Sequence, residues 1–187
     1  SKSTGDPHTM SRTISNHTTK DSYYGFLEEI AWCLEVGNDI TRSSASDLAV
    51  SKWNVCEHLE HLMLADHKIV KWIEDVALAS DCEHRSEKPK EVGTLILASG
   101  QIPRGRGPAP EGTIPKGESL ARVISRLEDV RTLIGGLAEY LDAVDTCLNT
   151  LPHHVLGHFT PSQWLRFLHV HHIHHAKIIN DIVRKPA

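Results

Sequence analysis

Histidine carries the chemistry of this chain. It supplies 14 of the 187 residues, and five of them, His169, His171, His172, His174 and His175, fall in one short run. His171 and His175 are four apart, a spacing that stacks two side chains on one face of a helix with Cβ atoms about 5–6 Å apart. Both imidazoles can then turn a nitrogen toward one ion. A third nitrogen has to come from another helix, where His58 and His61 are candidates and His67 lies further along. Three neutral imidazoles with open coordination positions form the pattern of a catalytic metal site and not of a closed structural one. Imidazole suits zinc, nickel, copper or iron(II), and ligand type alone does not choose among them. The plainer alternative is a hydrogen bond to Glu57 or Glu60, because a buried polar group left unpaired is costly. His169, His172 and His174 read as supporting or solvent-facing. His8, His17 and His84 fall in loops and read as incidental.

Helices must hold these side chains. Residues 1–20 are polar and rich in Ser, Thr and Gly, and read as a flexible tail ahead of a single helical domain over 21–185. Tyr23, Phe26, Leu27, Ile30 and Leu34 recur at helical spacing in a first helix, with Asp21 or Ser22 as its cap. A second helix starts at Asn54, where Glu57 completes a capping box, and runs through Val55, Leu59, Leu62, Ile69, Ile73 and Val76 to about Ser80. The stretch 81–117 holds five prolines and reads as a long irregular connection, with Val92–Ala98 a short helix or strand. Connections of that length inside a compact domain are usually functional or disordered. Leu120, Val123, Leu127, Val130, Ile134, Leu137, Leu141 and Val144 predict one continuous third helix. Gly135 and Gly136 weaken it by roughly 1 kcal/mol each, and a closely approaching neighbour would account for them. The fourth helix opens with Thr160, Pro161 and Gln163, a second capping box with proline at the favoured first position. Trp164, Leu168, His171, His175, Ile178 and Ile182 share one stripe of it, so two histidines occupy core-facing positions. Four helices and no convincing strand predict an all-α four-helix bundle, and the long connection permits a crossover topology.

Composition narrows the function classes. The net charge of −4, without a basic run, offers no electrostatic footprint for nucleic acid. No apolar run approaches the roughly 20 residues of a membrane span, and no secretion signal is evident. Cys33, Cys56, Cys82 and Cys147 are scattered without a CxxC pair, which argues against a disulfide framework and for a reducing, cytoplasmic compartment.

Longer patterns now carry a resemblance. The stretch WNVCEHLEHL from Trp53 to Leu62, followed by Ala65 and Asp66, resembles the W-[ST]-x-x-E-x-x-x-H-L…D signature of DinB/YfiT-like proteins. The stretch HHIHHAKI from His171 resembles their H-x-x-H-H-x-x-Q motif, with Ile178 at the glutamine position. Pro152 to Trp164 is similar to the H-P-x-F-G-x-L-T-x-x-x-W lead-in of one branch, with His154 and Leu156 in place of its proline and phenylalanine. The resemblance implies a four-helix fold and a divalent metal held by His61, eight positions after Trp53, together with His171 and His175. It makes His174 a non-ligand. Trp53 and Trp164 match family tryptophans and read as packing anchors.

Activities in that superfamily include thiol-dependent transfer and isomerisation, and many members are labelled metal-dependent hydrolases. The resemblance therefore implies a metal-dependent enzyme that activates water or a small thiol. Its ion is zinc or nickel, with iron or manganese next, and its partners are a small-molecule substrate, a low-molecular-weight thiol among the options, and a second copy in a homodimer. Glu57, one turn from His61, is a candidate base, although its capping role alone would also account for it. His158 is the second candidate catalytic residue, and with His153 it could line the mouth of the site. The 81–117 connection could cover the site, with Arg104 and Arg106 binding an anionic group, against the plainer reading of a solvated loop. The alternative function is a non-catalytic helical protein, metal-binding or interacting, with a dimer among the options. Iron(II) oxygen chemistry ranks below both, because related domains carry H-x-x-x-H-x-E where this chain has Lys177.

Overall fold

The structure is a computed structural model and describes residues 17–79, 87–105 and 107–184. The expected tail up to residue 16, together with Cys82, His84, Arg106 and the last three residues, lies outside the described residues. The described chain is mostly helical: α1 (Thr19–Asn38), α2 (Ile40–Ser43), α3 (Val55–Ala77), α4 (Glu91–Ser99), α5 (Leu120–Gly135), α6 (Leu141–Thr146) and α7 (Pro161–Val183). A two-stranded hairpin, β1 (Leu151–His153) and β2 (Gly157–Phe159), precedes α7.

Each long helix starts on a side-chain cap. Thr18 caps α1, with Asp21 as its reciprocal partner, so the helix begins before the Asp21 or Ser22 start expected from the sequence. Asn54 accepts the Glu57 amide at 2.9 Å, and Glu57 accepts the Asn54 amide at 2.8 Å. Thr160 and Gln163 do the same for α7, with Pro161 where its missing N–H is not needed.

The four long helices pack in pairs: α1 lies against α7 and α5, and α3 lies against α5 and α7. Phe26, Ile30, Leu59, Leu62, Val123, Leu127, Leu165 and Leu168 are fully buried between them. Each such side chain contributes about 1.5–3 kcal/mol by leaving water. α1 and α7 approach so closely that a Cβ at Gly25 would sit 2.2 Å from the His169 ring. The His169 ring thus fills the space that a side chain at Gly25 would take.

Two expectations are corrected. The apolar beat from Leu120 to Val144 spans a break, because α5 ends at Gly135 with Gly136 as its cap. The Gly136 amide bonds back to the Thr132 and Leu133 carbonyls, Leu137 still turns into the core, and α6 begins afresh. No helix crowds Gly135, so the pair of glycines acts through its low helix propensity and not through close approach. The lead-in to α7 is also a hairpin. Gly157 sits at φ +91°, and a Cβ there would meet the Lys90 backbone at 2.5 Å. That closeness lets the Lys90 amide donate to the Leu156 carbonyl and the His158 amide to the Lys88 carbonyl. The 87–90 segment thus lies alongside β2, and Val92–Ala98 is helical, within α4. Among the described residues no helix is long and apolar enough to cross a membrane.

Candidate metal centre

The α3–α7 interface brings His61 to His171 and His175. The Nε2 atoms of His61 and His171 are 3.1 Å apart, and those of His175 and His171 are 3.2 Å apart. All three ligand atoms lie within 4.8 Å of one another. A cation bonded to imidazole nitrogens at about 2.0–2.1 Å places them about 2.9–3.4 Å apart, so two edges already fit and the third has at most about 1.5 Å to close by ring rotation.

The proton positions also suit a cation. A carbonyl oxygen only accepts, so the 2.7 Å contact between His61 Nδ1 and the Thr113 oxygen puts the proton on Nδ1 and leaves the Nε2 lone pair facing His171. Burial pushes the pKa of His61 down, with the Thr113 hydrogen bond opposing it, and pushes His171 and His175 well below the usual imidazole range. All three are therefore neutral, the form that binds metal. His171 has a buried Nδ1 without a hydrogen-bond partner and lies face to face with Phe167. Three converging Nε2 atoms can share at most one proton between neighbours, whereas a single cation satisfies all three lone pairs. The donor set fits a divalent ion.

Trp53 walls the cluster. Its ring centre is 5.0 Å from that of His61, 5.4 Å from His58 and 6.4 Å from His175. The tryptophan read as a helix anchor is thus part of the site. Trp164 keeps the anchor role: it packs on Phe159 and Phe167, and its indole N–H donates to the Leu151 carbonyl. The end of the long connection also reaches the centre. Thr113 fixes the His61 ring, and the buried Glu60 carboxylate accepts the amides of Lys116, Gly117 and Glu118 at 2.7, 3.1 and 3.1 Å.

The remaining histidines of α7 have separate partners. His172 is 2.7 Å from Asp66, with both side chains fully buried, and its Nδ1 is 3.6 Å from Cys33 Sγ. Burial opposes its charge, but Asp66 and Cys33 outweigh it, and the pKa is raised to about 10. His169 packs on Gly25, and His174 bonds the Ile102 carbonyl.

Glu57 spends one carboxylate oxygen on the α3 cap, one turn before His61. His158 pairs with Pro152 across the hairpin, so it faces away from Phe159 and lies 3.6 Å from Glu87. That contact, and not the histidine cluster, is what the structure gives it. His153 faces the Phe159, Trp164 and Phe167 rings, and burial lowers its pKa to about 4. Arg104 is engaged by Asp181.

Sequence reasoning offered His58 only as an alternative ligand and did not reach its contact with His175, nor Ser51, Thr113 or the Asp66–His172 pairing. None has a local spacing signal, because each partner is brought in by tertiary packing. Compared with known families, residues 41–179 match the model of the DinB superfamily, a span that includes all of α3 and every histidine of the centre. No match is found among curated proteins or among solved structures.

Proposed function

The chain belongs to the DinB superfamily, and from that premise we propose that it is a metal-dependent enzyme that activates water or a small thiol, of the hydrolase or thiol S-transferase class. The observation that carries this reading is the convergence of three neutral imidazole nitrogens from two helices, His61 and His175 buried and His171 half-buried, with the His61 tautomer set by Thr113. A divalent ion held by His61, His171 and His175, zinc or nickel first among the options, would lower the pKa of a water or thiol that it binds. The chain's own residues supply the rest. Trp53 and Phe167 shield the ligands from bulk water, which strengthens electrostatic interactions in the site. Glu60 pins the 116–118 backbone over α3 and so holds the Thr113 carbonyl against His61. Glu57, one turn before His61 on α3, is the candidate carboxylate for holding a proton, through the oxygen not used by its cap. Within the same reading the four long helices form the four-helix bundle of the family.

The test is activity that depends on the ion. The protein is stripped with a chelator, reconstituted separately with zinc, nickel, manganese and iron(II), and assayed for thiol addition to electrophiles and for ester and amide hydrolysis. Activity restored by one metal and absent from His171→Ala supports the proposal. Metal uptake without turnover in any of these assays favours the non-catalytic helical protein.

A further inference from the structure

Behind His175 lies a chain of polar atoms that the ligand set does not explain. His175 Nδ1 is 2.9 Å from His58 Nδ1, His58 Nε2 is 2.9 Å from Ser51 Oγ, and Ser51 Oγ accepts the Trp53 amide at 3.1 Å. His58 is 2% exposed and His175 6%. Water therefore does not substitute freely for these bonds.

We propose that His58 is the positioning residue of the metal centre: it accepts the Nδ1 proton of His175 and so fixes His175 in the tautomer whose Nε2 faces the ion. Two ring nitrogens at 2.9 Å share one proton, so the pair has two states. In one, His58 carries the proton on Nδ1, and His175 is left with its proton on Nε2, where it blocks coordination. In the other, His175 donates from Nδ1, its Nε2 lone pair is free, and His58 holds its own proton on Nε2. Coordination of an ion by His175 Nε2 requires the second state, and Ser51 can accept a hydrogen bond from the Nε2 proton that His58 then carries. The Ser51 Oγ is held by the Trp53 amide at the position where an Nε2–H of His58 would donate. Trp53 reinforces the arrangement by contacting His58 edge to face and His175 in a stack, which restricts both rings. His61 receives the same service from the Thr113 carbonyl. Two of the three ligands are thus oriented from outside by named acceptors, and partners of this kind are worth about 10–100-fold in metal affinity.

The inference rests on the metal reading above, and its test separates the two. Zinc affinity is measured by competition with a chromophoric chelator for the full chain, His58→Leu, His58→Asn and Ser51→Ala, beside the thermal stability of each metal-free protein. Asparagine places its side-chain oxygen where Nδ1 of histidine stood, whereas leucine removes the acceptor and keeps the bulk. The expected result is a loss of about 10–100-fold in affinity for His58→Leu and recovery to within a few-fold for His58→Asn. Metal-free melting is expected to stay similar between the two. Long-range proton–nitrogen NMR of the zinc-loaded wild type should show the His175 proton on Nδ1. Equal affinity of wild type and His58→Leu, or a His175 proton on Nε2, overturns this proposal and leaves the metal centre standing. A wild type that takes up no zinc overturns the metal reading and this proposal with it.

Discussion

Replacing Asp66 by valine tests what holds α3 and α7 in register beneath the histidines. Asp66 and His172 lie 2.7 Å apart with both side chains fully out of solvent. Removing one member of such a pair strands the other and costs about 3–5 kcal/mol, whereas replacing both with apolar side chains of similar volume is often neutral or better. Urea unfolding of Asp66→Val, His172→Leu and the double variant, all in EDTA so that no ion contributes, is expected to show about 3–5 kcal/mol lost in each single variant. The double variant is expected within about 1–2 kcal/mol of wild type, because residues in direct contact are not additive. The pH dependence has a definite sign. The folded pKa of His172, about 10, exceeds the unfolded value near 6.5. Its contribution is fully present below about 6.5 and is lost as pH rises through about 10. Asp66→Val should lose that fall in stability over the same window. A cost below about 1 kcal/mol for Asp66→Val, a double variant equal to the sum of the singles, or an unchanged pH profile would refute the reasoning.

Glu60→Ala leaves three amides of the 116–118 segment without their carboxylate; hydrogen exchange at Lys116, Gly117 and Glu118 should quicken at least tenfold and zinc affinity should fall, and unchanged exchange would contradict the clamp. Gly25→Ala drives a methyl group into the His169 ring and should cost about 1–3 kcal/mol in urea unfolding, with recovery in Gly25→Ala, His169→Ala. Trp53 stands 5.0 Å from the His61 ring, so cobalt(II) should quench part of the tryptophan fluorescence and that part should disappear in Trp53→Phe; equal quenching in both would place the ion elsewhere.

What could be read from the sequence was local. The Asn54–Glu57 and Thr160–Gln163 boxes mark the starts of α3 and α7 because a cap is written within four residues. His171 and His175 declare a shared face because helical periodicity is short-range. Spacing alone left His58 and His61 open as the α3 partner, and the family pattern pointed to His61. In the structure His61 joins the pair and His58 stands behind His175. The departures are long-range or small. Three-residue strands carry no alternation to detect, so the hairpin before α7 was invisible. An unbroken apolar beat ran across Gly135 and Gly136 because burial continues through Leu137 and Val144 although the helix does not. Asp66 and His172 are 106 positions apart, and Glu60 meets amides 56 to 58 positions further on. No periodicity links residues at such separations.

The most direct test of the metal centre is stoichiometry. Wild type and the single variants His61→Ala, His171→Ala, His175→Ala and His158→Ala are equilibrated with zinc, freed of excess by gel filtration and assayed by elemental analysis. The account predicts about one equivalent in wild type and His158→Ala and a loss in each of the other three, since all three ligands meet at one point. Wild type without zinc, or loss from His158→Ala while His61→Ala retains it, would contradict the account.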